Sequence, residues 1–281
     1  MDALAGRRAQ WGVVWQRAPE AQLRLFCLPH TGGGAAVYRW WAQQLAPAVE
    51  VVAIRLPGRE TRLREAPYAR LADLAPALVD AVEPWLDRPH AWLGHSMGAL
   101  IAFEACHLLR HRDLPQPRRL FVTGRRAPHL ADREPPVHDA PAPNLVARLR
   151  ALGGTPREVL EDDATMSALL PMLRADYAVS ETYRWRSAPA LDCPISVLGG
   201  ADDPLTTVDE LQAWRRHTTT ECTVRLFAGG HFFLHEARAR ILPAIRADLT
   251  FACPSAAGRP AAPGPSVTSG LAGTTPSGRL P

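Results

Sequence analysis

The chain has 281 residues, 47% hydrophobic and 21% charged, which fits a globular protein with a sizeable core and excludes a disordered or fibrous chain. Its net charge of +4 rests on 32 arginines with no lysine, and no nucleic-acid motif accompanies the pairs Arg118-Arg119, Arg125-Arg126 and Arg215-Arg216, so neither DNA nor RNA is an expected partner. No stretch nears the roughly 20 apolar residues of a membrane span, the segment from Met1 to Trp15 lacks a secretory apolar region, and the scattered cysteines Cys27, Cys106, Cys193, Cys222 and Cys253 suit reduced thiols in the cytoplasm.

Taken in chain order, strand-length apolar runs alternate with helical patterns. Leu23 to Leu28 reads as a strand, Ala36 to Leu45 as a helix, Val49 to Ile54 as a strand and Leu71 to Leu86 as a helix. Ala91 to Leu93 is a short strand, Met97 to Leu109 a helix and Leu120 to Thr123 a strand. Beyond a long interruption come the strand Ile195 to Leu198, the helix Val208 to His217, the strand Thr223 to Phe227 and the helix Ala237 to Leu249. Such alternation predicts an α/β fold, a mainly parallel central sheet with helices on both faces.

The interruption contains no good strand. A proline-rich connection (Pro135, Pro136, Pro141, Pro143) leads into helical patterns at Leu145 to Leu152, Arg157 to Leu160 and Thr165 to Trp185. So much helix between two sheet strands suits a lid over the sheet's carboxyl edge. The predicted organisation is an N-terminal segment (1–22), a core in two pieces (23–124 and 188–252), a helical lid insertion (125–187) and a Pro/Gly/Ser-rich tail (253–281) expected to be disordered.

Chemistry is concentrated at Gly94-His95-Ser96-Met97-Gly98, a G-x-S-x-G segment that closes a strand and opens a helix. In that setting the serine sits on a strained turn, and its hydroxyl projects above the sheet edge beside the helix N-terminus. A serine nucleophile needs a base and an orienting acid, which on such a sheet follow in the order Ser, acid, His on later loops. His231, preceded by Gly229-Gly230 just past the last strand, is the candidate base. The acid is Asp202 or Asp203, with Asp203 preferred because the turn from Gly200 aims it toward the base. His235 stands four residues beyond His231, but neither H-E-x-x-H nor H-x-x-E-H is present and no third ligand is apparent, so no metal is expected. Pro29-His30-Thr31-Gly32-Gly33-Gly34 cannot be a phosphate loop, since the chain has no lysine to complete one; it suits a turn offering the N–H of Thr31 or Gly32 to an oxyanion.

Further segments carry a family resemblance. Cys27-Leu28-Pro29-His30-Thr31-Gly32-Gly33, Leu56-Pro57-Gly58-Arg59-Glu60, the elbow, Arg150-Ala151-Leu152-Gly153-Gly154-Thr155-Pro156, Leu170-Pro171-Met172-Leu173-Arg174-Ala175-Asp176-Tyr177, Asp203-Pro204 and Gly230-His231-Phe232 are together similar to the type II thioesterases. These are stand-alone editing enzymes of polyketide and nonribosomal peptide assembly lines, within the α/β-hydrolase superfamily, and the resemblance runs from about Leu23 to Leu249. It implies Ser96 as nucleophile, His231 as base, Asp203 as orienting acid and the amides of Met97 and Thr31 as the oxyanion hole. It implies hydrolysis of acyl thioesters on the phosphopantetheine arm of acyl or peptidyl carrier proteins, with no cofactor of the enzyme's own, by a monomer that removes misprimed or stalled acyl groups. Met166, Leu169, Leu170 and Leu173 of the lid are candidates to shape the acyl chamber. Thr31 departs from the alanine usual in the family, and the low-complexity tail has no counterpart there. A small-ester hydrolase or acyltransferase on the same scaffold, and a silent carrier-binding protein, are the alternatives.

Overall fold

The computed structural model describes residues 10–252; the expected disordered tail lies outside them. Its seven strands are β1 (Gly12–Val13), β2 (Leu23–Leu28), β3 (Val49–Ile54), β4 (His90–His95), β5 (Leu120–Thr123), β6 (Ile195–Gly200) and β7 (Cys222–Phe227). They form one sheet in the order β1-β3-β2-β4-β5-β6-β7, parallel except for β1, which pairs antiparallel to β3 through Gly12 with Ile54 and Val13 with Ala53. This is the mainly parallel architecture expected of an α/β-hydrolase.

Side-chain alternation along the strands builds a core on each face. From β2 and β3, Phe26, Leu28, Val52 and Ile54 point to one face, where they meet helices α2 (Leu71–Val82) and α3 (Met97–His111). Leu23, Leu25, Cys27, Val51 and Ala53 point to the other, against α1 (Arg39–Leu45) and the C-terminal helix. Each fully buried large side chain, such as Phe26, Trp92 or Phe103, contributes roughly 1.5–3 kcal/mol. At the start of β4 a buried polar side chain is paired at both nitrogens: His90 Nε2 donates to the Pro115 carbonyl at 3.0 Å and its Nδ1 accepts from Trp92 Nε1 at 3.0 Å.

One strand lies outside the expected core. β1 comes from the 1–22 segment, where Trp11 is buried in the core and its carbonyl accepts from Arg55 N–H at 2.7 Å. Two residues are too few to display a strand period.

Between β5 and β6 the chain leaves the sheet for α4 (Ala142–Leu152), α5 (Arg157–Glu161) and α6 (Asp163–Glu181). They bury a cluster of their own, including Leu145, Leu149, Leu160, Met166, Met172, Leu173 and Tyr177. Asp162 caps α6 by accepting from Thr165 N–H at 2.6 Å. At its far end Glu181 accepts from the Val137 and His138 amides, each at 3.0 Å, and so ties the proline-rich connection to α6. The remaining helices are α7 (Val208–Gln212), opened by a Thr207–Glu210 capping box, α8 (Phe233–Glu236) and α9 (Arg238–Ala252).

Burial holds several histidines uncharged. His90, His107 and His217 are lowered to about 4, and His30 to about 3, in each case chiefly by desolvation. Above the ordinary histidine range, near pH 6.5, these rings are neutral folded or unfolded. Between about 6.5 and 4 the unfolded chain binds protons that the folded chain refuses, so stability is lost as the pH falls through that window. Melting curves at constant ionic strength are expected to show a plateau near neutrality and a progressive drop from pH 6.5 to 4. An unchanged melting temperature over that range would contradict neutral burial of these rings.

Candidate active site

β4 ends at His95 and α3 begins at Met97, so Ser96 alone reverses the chain. Its backbone sits at φ 54 and ψ −113, a conformation costing roughly 1–3 kcal/mol that the surroundings must enforce. Two backbone hydrogen bonds hold it there: Ser96 N–H donates to the Thr123 carbonyl at 2.8 Å, and Ala99 N–H donates to the Ser96 carbonyl at 3.1 Å. The flanking glycines are dictated by backbone contact. A Cβ at Gly94 would lie 2.1 Å from the Gly98 carbonyl oxygen, and one at Gly98 would lie 2.3 Å from that of Leu28. Helix α3 therefore crosses β4 and β2 at a separation that no side chain permits.

The loops after β6 and β7 bring the partners. Asp202 N–H donates to the Gly229 carbonyl at 3.0 Å and Ala201 N–H to that of Phe227 at 2.7 Å, which joins the two loops. His231 Nε2 lies 3.0 Å from Ser96 Oγ, and His231 Nδ1–H donates to Asp203 Oδ2 at 2.9 Å. The Asp203 side chain is wholly buried, with Oδ1 accepting from Leu205 N–H at 2.9 Å and Oδ2 from Thr206 Oγ1–H at 3.3 Å. Asp202 is exposed. The order carboxylate, imidazole, hydroxyl is the arrangement that lets a serine transfer its proton as it attacks.

Other histidines crowd this relay. The His95 ring lies 5.2 Å from that of His231, and His30 lies 5.6 Å from His95. Desolvation, reinforced by neighbouring cations, lowers His30 to about 3 and His95 well below the ordinary range. Both rings stay neutral, so the charge nearest an imidazolium on His231 is the Asp203 carboxylate that stabilises it.

The elbow and the His30–Gly33 loop face each other where the strand order reverses. From β2 the chain passes to β3 on one side, and β4 then pairs with β2 on the other. Loops after β2 and β4 diverge there and open the crevice. Met97 N–H, the first of α3, has no intrahelical acceptor. In the loop, Gly33 N–H donates to the His30 carbonyl at 2.9 Å and Gly32 N–H to Asp176 Oδ2 at 2.8 Å. Of the two amides that the sequence offered, Gly32 is thus engaged, while Thr31 N–H has no acceptor among the described residues.

Ser96 and His231 open onto a cavity of about 260 Å³. Its apolar wall is drawn from the helical insertion and includes Leu149, Leu152, Met166, Leu169, Met172 and Leu173. Thr31, Gly32 and Phe232 form its floor with the relay, and Arg125, Arg148, Ser180 and Glu181 supply polar wall. Leu170 does not line this space; it packs, half-buried, against the insertion's own apolar cluster. It is adjacent in sequence to Leu169, and helical rotation of about 100° per residue carries it to a different face.

Arg59 and Asp176 have no role among the expected site residues, although both lie in segments that carry the resemblance. They form a buried ion pair at 2.6 Å against the His30–Gly33 turn. Among the described residues no three His, Cys, Asp or Glu side chains converge as a metal site requires, and no helix is long and apolar enough to cross a membrane.

Comparison with known proteins agrees with this geometry. The thioesterase domain family matches residues 23–249. The gramicidin S biosynthesis protein GrsT of Aneurinibacillus migulanus is 40% identical over 229 residues, 82% of this chain and 90% of that protein. The RedJ thioesterase from the prodiginine biosynthetic pathway of Streptomyces coelicolor superposes with a TM-score of 0.78 at 40% identity, over 83% of this chain and 92% of the other. The type II thioesterase BorB from the borrelidin biosynthetic cluster gives a TM-score of 0.78 at 40% identity, over 85% and 97%.

The geometry separates the two aspartates. Asp203→Asn is expected to slow labelling of Ser96 by a fluorophosphonate by about 10²-fold or more, because the amide favours the wrong imidazole tautomer. Asp202→Asn is expected to leave the labelling rate within about twofold of wild type, as for a surface substitution. The reverse ranking would show that the acid is misassigned.

Proposed function

This chain belongs to the thioesterase domain family, and on that premise we propose that it hydrolyses acyl groups from the phosphopantetheine arm of acyl or peptidyl carrier proteins. The observation that carries the reading is the continuous relay from Asp203 through His231 to Ser96, opening on a cavity walled by the helical insertion. The relatives named above serve gramicidin S, prodiginine and borrelidin biosynthesis. An editing role in a polyketide or nonribosomal peptide assembly line follows from that company. It is favoured over a small-ester hydrolase, an acyltransferase or a silent binding protein.

In the proposed reaction, Ser96 Oγ attacks the thioester carbonyl as its proton passes to His231 Nε2. The negative oxygen of the tetrahedral intermediate is received by the N–H groups of Met97 and Thr31. His231 returns the proton to the departing thiolate, leaving an acyl group on Ser96 and a free thiol on the carrier. Water enters, gives its proton to His231 and attacks the acyl-enzyme; the carboxylic acid departs and Ser96 recovers its proton. A thiolate leaves more readily than an alkoxide, so positioning and oxyanion stabilisation weigh more than a strong leaving-group acid. No cofactor of the enzyme's own takes part.

The insertion acts as the lid under which the carrier's arm enters. Met166, Leu169 and Leu173 border the acyl group, and the cavity of about 260 Å³ suits a short chain. The Thr31 side chain, larger than alanine, narrows the acyl pocket. The enzyme works as a cytoplasmic monomer.

The test is a panel of acyl-phosphopantetheinyl carrier proteins of increasing chain length, run beside the free acyl thioesters. Hydrolysis is expected to favour short acyl groups, and Ser96→Ala is expected to lower kcat by about 10³-fold or more. Near-wild-type turnover by a folded Ser96→Ala protein would overturn the mechanism. Hydrolysis of simple esters in preference to every thioester would overturn the substrate class.

A further inference from the structure

The turn from His30 to Gly33 is closed by Gly33 N–H donating to the His30 carbonyl at 2.9 Å, with Gly32 at φ 76. Positive φ at the third residue is the mark of a type II turn. Types I and II differ by a flip of the central peptide, the one joining Thr31 to Gly32. The flip exchanges the directions of the Thr31 carbonyl and the Gly32 N–H, whereas Thr31 N–H belongs to the preceding peptide and keeps its place only while the turn as a whole stays seated. Such a turn does not fix itself, since both forms retain the closing hydrogen bond.

What fixes it comes from 144 residues away, on helix α6: Asp176 Oδ2 accepts the Gly32 N–H at 2.8 Å. Arg59 holds the carboxylate in place. Its Nη2 donates to Asp176 Oδ1 at 2.6 Å, and its Nη1 donates to Asp176 Oδ2 at 2.9 Å and to the Gly33 carbonyl at 2.9 Å. Arg59 and Asp176 are 5% and 2% exposed, so solvent neither screens the pair nor competes for the Gly32 amide. One ion pair thus joins the loop after β3, the turn after β2 and the inserted helix.

We propose that Asp176 is a positioning residue for the oxyanion hole: clamped by Arg59, it holds the Thr31–Gly32 peptide in its type II form and anchors the turn that carries Thr31 N–H at the crevice, and it does so only while helix α6 is seated. The inference rests on the thioesterase reading. It makes the insertion part of the catalytic apparatus as well as a wall of the acyl chamber. Lifting α6 would withdraw Asp176 and release the turn.

Replacing one partner would strand a buried charge, so the informative variant is Arg59→Met with Asp176→Leu, which removes both. With an acyl-N-acetylcysteamine substrate, its kcat is expected to fall about 10- to 100-fold while KM stays within about twofold, less than the loss of an entire oxyanion donor. Affinity for an alkylboronic acid, which forms a tetrahedral adduct on Ser96, should fall in step with kcat. In the unmodified enzyme the Gly32 amide is expected to exchange with deuterium far more slowly than an exposed loop amide, a measurement that needs no variant. A folded double variant with wild-type kcat and boronate affinity, or a rapidly exchanging Gly32 amide in the wild type, would overturn the inference and leave the thioesterase reading intact. A wild-type enzyme that releases no acid from any acyl thioester would overturn that reading instead, and the positioning role of Asp176 with it.

Discussion

The close crossing of helix α3 over strands β4 and β2 is the constraint on which the rest of the structure depends. With backbone against backbone at Gly94 and Gly98, the chain has one residue in which to turn from strand to helix. That residue is Ser96, held at φ 54. The strain is offset by the two apolar cores, one on each face of the sheet, whose packing over Phe26, Trp92 and Phe103 on one face and Phe121 on the other fixes where β4 and α3 lie. The same crossing sets the Met97 amide at the start of α3 and seats the Ser96 hydroxyl within reach of His231. Fold stability and nucleophile geometry therefore have one physical source.

Around this turn the protein assembles groups from distant parts of the chain at two levels. The first is the relay itself, in which loops after β6 and β7 hold Asp203 and His231 in line with Ser96. Its electrostatics depend on burial: His30 and His95 stand close by but remain neutral, so a proton accepted by His231 meets Asp203 and no competing cation on those rings. The second is the mounting of the His30–Gly33 turn, where Arg59 and Asp176 connect two loops and a helix through one buried pair. A site built in this way draws on both the body and the insertion.

Much of this was legible in the sequence because burial leaves a pattern. The bounds of β2, β3 and β5 read directly from their mainly apolar runs, interrupted by Arg24 in β2 and Glu50 in β3, since strands buried on both faces carry little polar alternation to blur them. β4 extends beyond the apolar Ala91–Leu93 run at both ends because His90 and His95 are buried with hydrogen-bond partners that a chain pattern does not reveal. Ser96 and His231 were marked by their glycines. The choice between Asp202 and Asp203 turned on a single-residue offset in a loop, which three-dimensional burial resolves and spacing alone does not. The Arg59–Asp176 pair was hidden for a different reason. Its partners are 117 residues apart, and an ion pair between two elements has no local period. Leu170 shows the opposite limit: apolar character identified the helix but not which of its neighbouring residues turns toward the cavity.

The central claim is that acyl groups leave their thioester by way of Ser96. It is tested most directly by mixing excess enzyme with an acyl-loaded carrier protein, quenching with acid within the first turnover and mapping the digest by mass spectrometry. The account predicts a transient mass gain equal to the acyl group on the peptide carrying Ser96, rising as the carrier is emptied and decaying as free acid appears. Emptying of the carrier with the acyl group found on another residue, or with no acylated Ser96 at any time in the turnover, would contradict it.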